Sequence, residues 1–359
     1  MITEVVYNNL FNNWSGEVEI ISNKSGKNKY YNNTFRNYQG TLTLRHGNDC
    51  EVYGNYFFAN NNLFSGGIRI IGENHKVYNN YVEGVNSIKP DGSSTKTCGG
   101  INISNGRPSS ALNGYYQVKN AIVTNNTFVN CDYGIRMGTD VSSDLTLAPL
   151  NVTVANNIML NSSNKAINVV TAPTGTSIYQ GNIRQTGSWD IPTGTNNNTA
   201  VSSGLLTSGT DFYRVQTGSA AIDAGVGSFS FLTKDILNGN RPTANFDAGA
   251  EEFGSNGINL PYNVSDVGNT IGFLSYPNTL TTSQFLTDDT LNLYPNPASN
   301  QIHIESKTPL NAIEIFDYTG KKVYSSIVNS SITTIDVAAF SKGLYLIKVN
   351  NKYAKVVIQ

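Results

Sequence analysis

Two glutamates near the start of the chain have the spacing of a pair of cation ligands. Glu17 and Glu19 are two positions apart on a predicted strand, so their side chains leave the same face. Two carboxylates on one face repel each other unless a cation lies between them, and Ca²⁺ prefers such oxygen ligands. The pair indicates a calcium site, although paired outward glutamates are also typical of a solvated strand face.

Three basic residues follow at nearly regular intervals. Arg45 lies 21 residues after Lys24, and Arg69 lies 24 residues after Arg45. If the chain winds with a similar period, the three side chains form a basic column beside the glutamates. Like charges stacked about 5 Å apart are unfavourable, so the fold does not need them for stability. The column predicts a polyanionic ligand lying across the turns, and the alternative is three exposed cations separated by solvent.

A repeat of matching size runs through residues 1–185. Each copy reads an apolar residue or Tyr, any residue, Asn or Gly, and then Asn, and one gap of 46 residues spans two repeats. Short β-prone runs with Asn and Gly corners at a fixed period are typical of a stacked β-solenoid. Asparagines at one corner of successive coils can hydrogen-bond into a ladder. The repeated residues are Asn9, Asn33, Asn55, Asn80, Asn126, Asn157 and Asn182.

Equivalent positions of successive coils should stack into inward apolar columns. Residues 86–116 and 139–150 break the repeat and are rich in turn-forming residues, which predicts loops that leave the stack. One predicted column contains Val6, Val52, Val77, Val123 and Val154, and a second contains Leu10, Tyr56, Tyr81 and Ile158.

The composition excludes several classes of protein. Charged residues make up 14% of the 359 residues and the net charge is −1, which gives no reason to expect a nucleic acid or an anionic membrane as partner. No run of 18 apolar residues predicts a membrane span. Cys50, Cys98 and Cys131 lack metal-ligand spacing and are interpreted as small buried residues.

The second half of the chain divides into three parts. Residues 186–253 are irregular and are predicted to cap the last coil, because an open solenoid end exposes strand edges and core. Residues 254–290 have the composition of a linker. Residues 291–359 alternate between apolar and polar residues in about seven short runs, which predicts a small β-sandwich.

The tail resembles the C-terminal sorting domain of the Bacteroidetes type IX secretion system. The matching runs are residues 293–297 (Leu-Tyr-Pro-Asn-Pro), 315–321 (Ile-Phe-Asp-Tyr-Thr-Gly-Lys), 343–348 (Gly-Leu-Tyr-Leu-Ile-Lys) and 355–357 (Lys-Val-Val). The resemblance implies that the secretion machinery is a partner and that the protein is secreted or held at the cell surface. Such proteins carry an N-terminal signal peptide, so we expect the natural polypeptide to begin upstream of Met1.

The repeat region resembles polysaccharide lyase family 6, which contains alginate lyases and chondroitinase B. The similar residues are Glu17-x-Glu19, Asn23-Lys24-Ser25, residues 40–48 (Gly-Thr-Leu-Thr-Leu-Arg-His-Gly-Asn), residues 67–72 (Gly-Ile-Arg-Ile-Ile-Gly) and His75. The resemblance implies an all-β, right-handed parallel β-helix over residues 1–253. It also implies β-elimination on an anionic uronic-acid polysaccharide, with alginate the expected substrate.

Site roles are carried over from the family on the matching positions. Lys24 would be the general base, Arg45 would stabilise charge at the leaving oxygen, and Ca²⁺ held by Glu17 and Glu19 would bind the uronate carboxylate. A lysine must be neutral to accept a proton, and neighbouring cations favour that form. A further Asn ligand of the family would precede residue 1. The implied substrate-binding residues are His46, Arg69, His75 and Arg136.

Other functions remain open. A chondroitinase B-like lyase acting on dermatan sulfate shares the same residues, and a non-catalytic polysaccharide-binding β-helix needs only the basic column. A hydrolytic β-helix enzyme needs neighbouring aspartates as acid and base, and none lies beside the column in the repeat region. Trp14 and several tyrosines, including Tyr115, could stack on sugar rings, although core packing is the simpler interpretation.

Overall fold

A computed structural model describes residues 4–267, 291–350 and 352–359. The chain forms two compact units, residues 1–267 and 268–359. In the first unit, strands of two to seven residues return once per coil and pair in parallel with the strands of the coils before and after. This arrangement is a parallel β-helix and confirms the predicted fold class.

Three parallel sheets form the walls of the helix, with strands numbered in chain order. The first contains β1 (Val5–Tyr7), β4 (Lys29–Tyr31), β7 (Glu51–Tyr53), β10 (Lys76–Tyr78), β13 (Ile122–Thr124), β16 (Thr153–Ala155) and β19 (Ile178–Gln180). The second contains β2 (Leu10–Asn12), β5 (Thr34–Arg36), β8 (Tyr56–Phe58), β11 (Tyr81–Glu83), β14 (Thr127–Val129), β17 (Ile158–Leu160), β20 (Ile183–Gln185) and β22 (Thr199–Val201). The third contains β3 (Glu19–Asn23), β6 (Gly40–Leu44), β9 (Ser65–Ile70), β12 (Ile101–Ser104), β15 (Tyr133–Thr139), β18 (Lys165–Val169) and β21 (Ser188–Trp189).

The corner between the first two sheets is built by the repeated Asn/Gly-Asn pair. The first member adopts left-handed backbone, with φ of 56° at Asn8, 53° at Asn32 and 51° at Asn79, a region that Asn and Gly tolerate. The second member turns inward, and its amide donates to the amide oxygen of the next coil at 2.9–3.0 Å from Asn9 to Asn182. The predicted ladder is confirmed, and Asn198 extends it by one coil.

The first predicted column lies inside the helix, as expected, and the structure adds Tyr30 and Tyr179 to it. The second column is in register, but its predicted inward orientation is wrong. Tyr56 and Tyr81 face outward and each lies 5.2 Å from the ring of Phe212. The neighbouring positions fill the interior instead, namely Phe11, Phe35, Phe57, Val82, Phe128 and Met159.

Residues 202–266 cover the side of the helix, whereas the sequence predicted an end cap within residues 186–253. β21 and β22 continue the helix, and the chain then forms β23 (Leu206–Ser208), β24 (Tyr213–Val215) and a 3₁₀ helix (Val264–Asp266). This segment runs back along the second sheet towards the first coils. Asn156 donates to Val226 O at 2.9 Å, and Tyr262 N donates to the Thr34 hydroxyl at 2.9 Å. It buries the outward face that carries Tyr56.

The structure describes only the first part of the predicted linker of residues 254–290, up to residue 267. Residues 254–267 belong to the first unit, and the Tyr56 hydroxyl donates to Asn259 O at 2.7 Å. Residues 268–290 lie outside the described residues.

Cys50, Cys98 and Cys131 are buried free thiols, as predicted. Within the part of the chain that the structure describes, no helix has the length and apolar character needed to cross a membrane.

The second unit is one antiparallel sheet of five strands rather than about seven short ones. Its strands are β25 (Leu291–Tyr294), β26 (Gln301–Phe316), β27 (Lys322–Asp336), β28 (Gly343–Val349) and β29 (Lys352–Ile358). Two predicted short runs merge in β26, where the register with β27 shifts between Glu305 and Ala312. Both halves of β26 contribute to a single buried cluster that includes Ile302, Ile313, Ile347 and Val356.

Candidate active site

Lys24 and Arg45 leave the same edge of the third sheet on adjacent strands. Asn23 pairs with Leu44, so the two basic residues follow directly after a paired position. The backbone N–H groups of Arg45 and His46 both donate to Asn23 O at 3.0 Å. The Lys24 side chain is exposed, and that of Arg45 is 31% exposed. The predicted juxtaposition of these two residues is confirmed.

A tight approach of two loops fixes this edge. The buried Asn23 amide donates to Ser25 O at 2.8 Å and to His46 O at 2.9 Å. Gly47 has φ of 84°, and a Cβ there would lie 2.3 Å from the Ser25 carbonyl carbon. Only glycine fits this position, because both the backbone angle and the space exclude a side chain.

Arg69 is not in the predicted column with Lys24 and Arg45. It pairs with Thr43, and the following Ile70 pairs with Leu44, so Arg69 lies two positions before the level of Arg45. The register between β6 and β9 shifts after Gly40, which the spacing of 24 residues does not reveal. Arg69 still points outward, but its side chain is only 4% exposed.

Glu19 joins the two arginines. Its carboxylate oxygen Oε1 lies 3.1 Å from Arg45 Nη1 and 3.8 Å from Arg69 Nη1, and the Glu19 side chain is buried. Glu17 lies in a bend before β3 and is exposed, so the two glutamates do not share one strand face as predicted. The prediction was wrong because β3 begins only at Glu19, so Glu17 is not part of the strand.

Asp140 anchors Arg69 from the end of β15. The two side chains form a buried ion pair at 2.8 Å, and Arg69 Nε lies 3.4 Å from the Ser104 hydroxyl. Burial opposes the charge of Arg69, but Asp140 and the Tyr115 hydroxyl outweigh it and hold the pKa of Arg69 above its usual value. Arg69 is therefore a fixed, permanently charged group beneath the surface.

The two candidate histidines have different environments. His46 is half-buried, and burial together with Arg45 and Lys24 lowers its pKa, so the imidazole is neutral at pH 7. His75 is fully buried: Cys50 N donates to its Nδ1 at 3.2 Å, and its Nε2 lies 3.0 Å from Ile71 O. Burial lowers the pKa of His75 to about 4. With both ring nitrogens hydrogen-bonded to the backbone, His75 links Cys50 to Ile71 and has no exposed surface for a uronate.

Arg136 holds a loop rather than an open subsite. Its Nη1 donates to Thr95 O at 2.8 Å and to Cys98 O at 3.0 Å, and its guanidinium carbon lies 4.4 Å from the centroid of the Tyr133 ring. The side chain is buried, so these backbone contacts account for its position. The role implied for it in substrate binding stays a prediction, as do the roles of His46 and Arg69.

Tyr115 is a site residue for which the sequence indicates only a possible sugar-stacking role. Its ring centroid lies 5.4 Å from the guanidinium carbon of Arg45 and 5.2 Å from that of Arg69. It belongs to the predicted loop that interrupts the repeat, and that loop returns over the third sheet. The interruption was the one sequence signal that this region could reach the site.

The residues present do not form a complete calcium site. Ca²⁺ takes six to eight oxygen ligands, whereas the Glu19 carboxylate faces two guanidinium groups and Glu17 is exposed in a bend. Across residues 4–267, 291–350 and 352–359, no group of three or more His, Cys, Asp or Glu side chains is placed to hold a metal ion. Calcium binding stays a prediction.

The first unit is similar to a family model and to solved structures. The chondroitinase B family model matches residues 2–215. The solved structure of the PL6 family alginate lyase AlyGC is 26% identical with a TM-score of 0.55, and a variant of it is 25% identical with the same score. Each match covers 82% of this chain but 33% of the other, so this chain spans about a third of their length. No curated protein matches the chain.

The second unit matches a different family model. Residues 292–359 correspond to a secretion system C-terminal sorting domain. This match confirms the prediction from the ordered motifs of the tail. The protein is therefore secreted or held at the cell surface.

Proposed function

The chain belongs to the chondroitinase B family, and on that premise we propose that it cleaves a uronic-acid polysaccharide by β-elimination. The observation that carries the proposal is the juxtaposition of Lys24 and Arg45, which leave paired strands at one edge of the third sheet. An exposed amine beside a half-exposed guanidinium provides a base next to a fixed positive charge. This combination suits removal of a proton from a carbon that adjoins a carboxylate.

Lys24 takes the first step. Its amine accepts the proton on C5 of the uronate, and the electron pair of the broken C–H bond forms a double bond between C4 and C5. The C4–O bond breaks, and the leaving oxygen of the neighbouring sugar takes a proton from water. The products are a new non-reducing end that contains the double bond and a sugar with a free hydroxyl group.

Arg45 stabilises the negative charge that develops during this reaction. A guanidinium is a poor proton donor because it holds its proton very tightly, so we assign it electrostatic assistance. Glu19 orients the guanidinium through the 3.1 Å ion pair. The neutral His46 beside Arg45 can accept or donate a hydrogen bond with a sugar hydroxyl. A calcium ion, if bound, would neutralise the substrate carboxylate, but no step here depends on it.

Alginate is the substrate we favour. The solved structures that resemble this chain with a TM-score of 0.55 are alginate lyases. The family model bears the name of chondroitinase B, which supports dermatan sulfate as the second candidate. A third candidate is non-catalytic polysaccharide binding, which the exposed Lys24 and the partly exposed Arg45 support as cationic contacts for an anionic chain.

The test is the ultraviolet absorbance of the unsaturated product. We expect the absorbance to rise with alginate and to stay flat with dermatan sulfate. A rise with dermatan sulfate alone would assign the chain to the second substrate. Retention on immobilised alginate without any rise on either polysaccharide would contradict the lyase proposal and support binding alone.

A further inference from the structure

Residues 105–117, here called the strap, follow β12 of the third sheet and precede β13 of the first sheet. The strap is fastened to the next loop, since Gly106 N donates to Leu147 O at 2.8 Å and Leu147 N donates back at 2.9 Å. The Gln117 amide donates to Ala148 O at 2.7 Å. Within the strap, Arg107 N donates to Tyr115 O at 2.8 Å. These bonds hold the backbone of Tyr115 at a defined position above the sheet.

Few contacts fix the Arg45 head group. Among the described residues, its guanidinium has the Glu19 carboxylate at 3.1 Å on one side and the Tyr115 ring at 5.4 Å on another. Arg45 Nε is buried and makes no hydrogen bond within the described part of the chain. A side chain that is 31% exposed and held by two contacts depends on both of them for its orientation.

We propose that Tyr115 is a positioning residue that holds the Arg45 guanidinium in its working orientation through its ring face. The ring of Tyr115 lies 5.2 Å from the Arg69 guanidinium as well, and Arg69 is anchored by Asp140 at 2.8 Å. A chain of contacts therefore runs from the end of β15 to the edge where Lys24 lies, through Asp140, Arg69, Tyr115 and Arg45. The proposal rests on the lyase function, because Arg45 acts there on developing charge.

The ring face carries this role because a guanidinium is attracted to the negative face of an aromatic ring. Such a contact raises the population of the guanidinium orientation that faces the ring by about tenfold. Loss of the ring would reduce kcat by about that factor, since a freely rotating guanidinium is no longer preorganised. KM should change little, because Lys24 and the other residues at this edge of the third sheet remain in place.

The experiment compares Tyr115→Leu, Tyr115→Phe and Tyr116→Leu in the full chain. Leu keeps apolar bulk but removes the aromatic face, Phe keeps the face without the hydroxyl, and Tyr116 is a neighbouring half-buried tyrosine of the same strap. Circular dichroism checks folding, and Tyr115→Met replaces Tyr115→Leu if the latter does not fold. The readouts are kcat and KM on alginate and the rate at which phenylglyoxal modifies Arg45, followed by peptide mass spectrometry.

We expect Tyr115→Leu to lower kcat about tenfold with KM nearly unchanged and to speed modification of Arg45 several-fold. Tyr115→Phe and Tyr116→Leu should resemble the wild type in both readouts. A wild-type modification rate in Tyr115→Leu would overturn the proposal, as would an unchanged kcat or a Phe variant that behaves like Leu. A wild type that cleaves no polysaccharide contradicts only the lyase function, because the modification rate does not require turnover.

Discussion

Replacement of Asn80 by Ala tests the ladder that holds successive coils in register. The buried Asn80 amide donates to Val52 O at 2.9 Å, Tyr78 O at 3.0 Å and Asn126 Oδ1 at 3.0 Å. Its oxygen accepts from the backbone and side chain of Asn55 at 3.1 and 2.9 Å. Each buried polar group left without a partner costs about 1–3 kcal/mol. With at least two such groups stranded, we expect a loss of about 3–5 kcal/mol in the free energy of unfolding.

The assay is urea unfolding followed by circular dichroism, with Asn62→Ala as the matched control. The Asn62 amide also bonds an asparagine of a neighbouring coil, Asn37, at 3.0 Å, but that contact is exposed to water. Water replaces the lost partner there, so we expect a change below about 1 kcal/mol. Equal effects of the two substitutions would refute the reasoning that burial gives the ladder its strength.

Three further predictions concern charge. The pKa of His75 is about 4 in the folded state against an ordinary value of 6.5, so the unfolded chain binds more protons between pH 4 and 6.5. The free energy of unfolding of the wild type therefore falls as the pH drops from 6.5 to 4. In urea unfolding, His75→Gln should lose about 3 kcal/mol less than the wild type over this pH range. Glu19→Gln should lower kcat on alginate about tenfold because it removes the carboxylate facing Arg45, whereas Glu17→Gln should not. In calorimetric titration with Ca²⁺, the two variants should weaken binding equally if the glutamates share an ion, and an unchanged affinity in either variant would contradict a shared site.

The parts of the fold that depend on local repetition could be predicted from the sequence. The corner Asn residues carry both the left-handed backbone and the ladder bonds, so their recurrence defines the coils directly. The faces of the second sheet could not be predicted in the same way. A buried aromatic residue such as Tyr56 is expected both inside the helix and on an outer face that a later segment covers. Only the course of residues 202–266 shows that Tyr56 lies on the covered outer face.

The candidate site was predictable where neighbouring strands stay in register. Lys24 and Arg45 follow the paired residues Asn23 and Leu44, and the spacing places them correctly. The position of Arg69 was not predictable, because the register shift between β6 and β9 leaves no trace in residue type. Tyr115 comes from a loop, and its contact with the arginines depends on backbone bonds to the next loop rather than on any repeat.

The most direct test of the central claim compares Lys24→Met with Lys29→Met in the alginate absorbance assay. Lys29 lies in the same coil but on β4 of the first sheet, where it pairs with Glu51 at 3.5 Å. General-base catalysis contributes a factor of about 10²–10⁴, so we expect Lys24→Met to lose at least about a hundredfold in rate with an unchanged circular dichroism spectrum, and Lys29→Met to retain wild-type activity. A Lys24→Met protein that still forms unsaturated product at the wild-type rate would contradict the account.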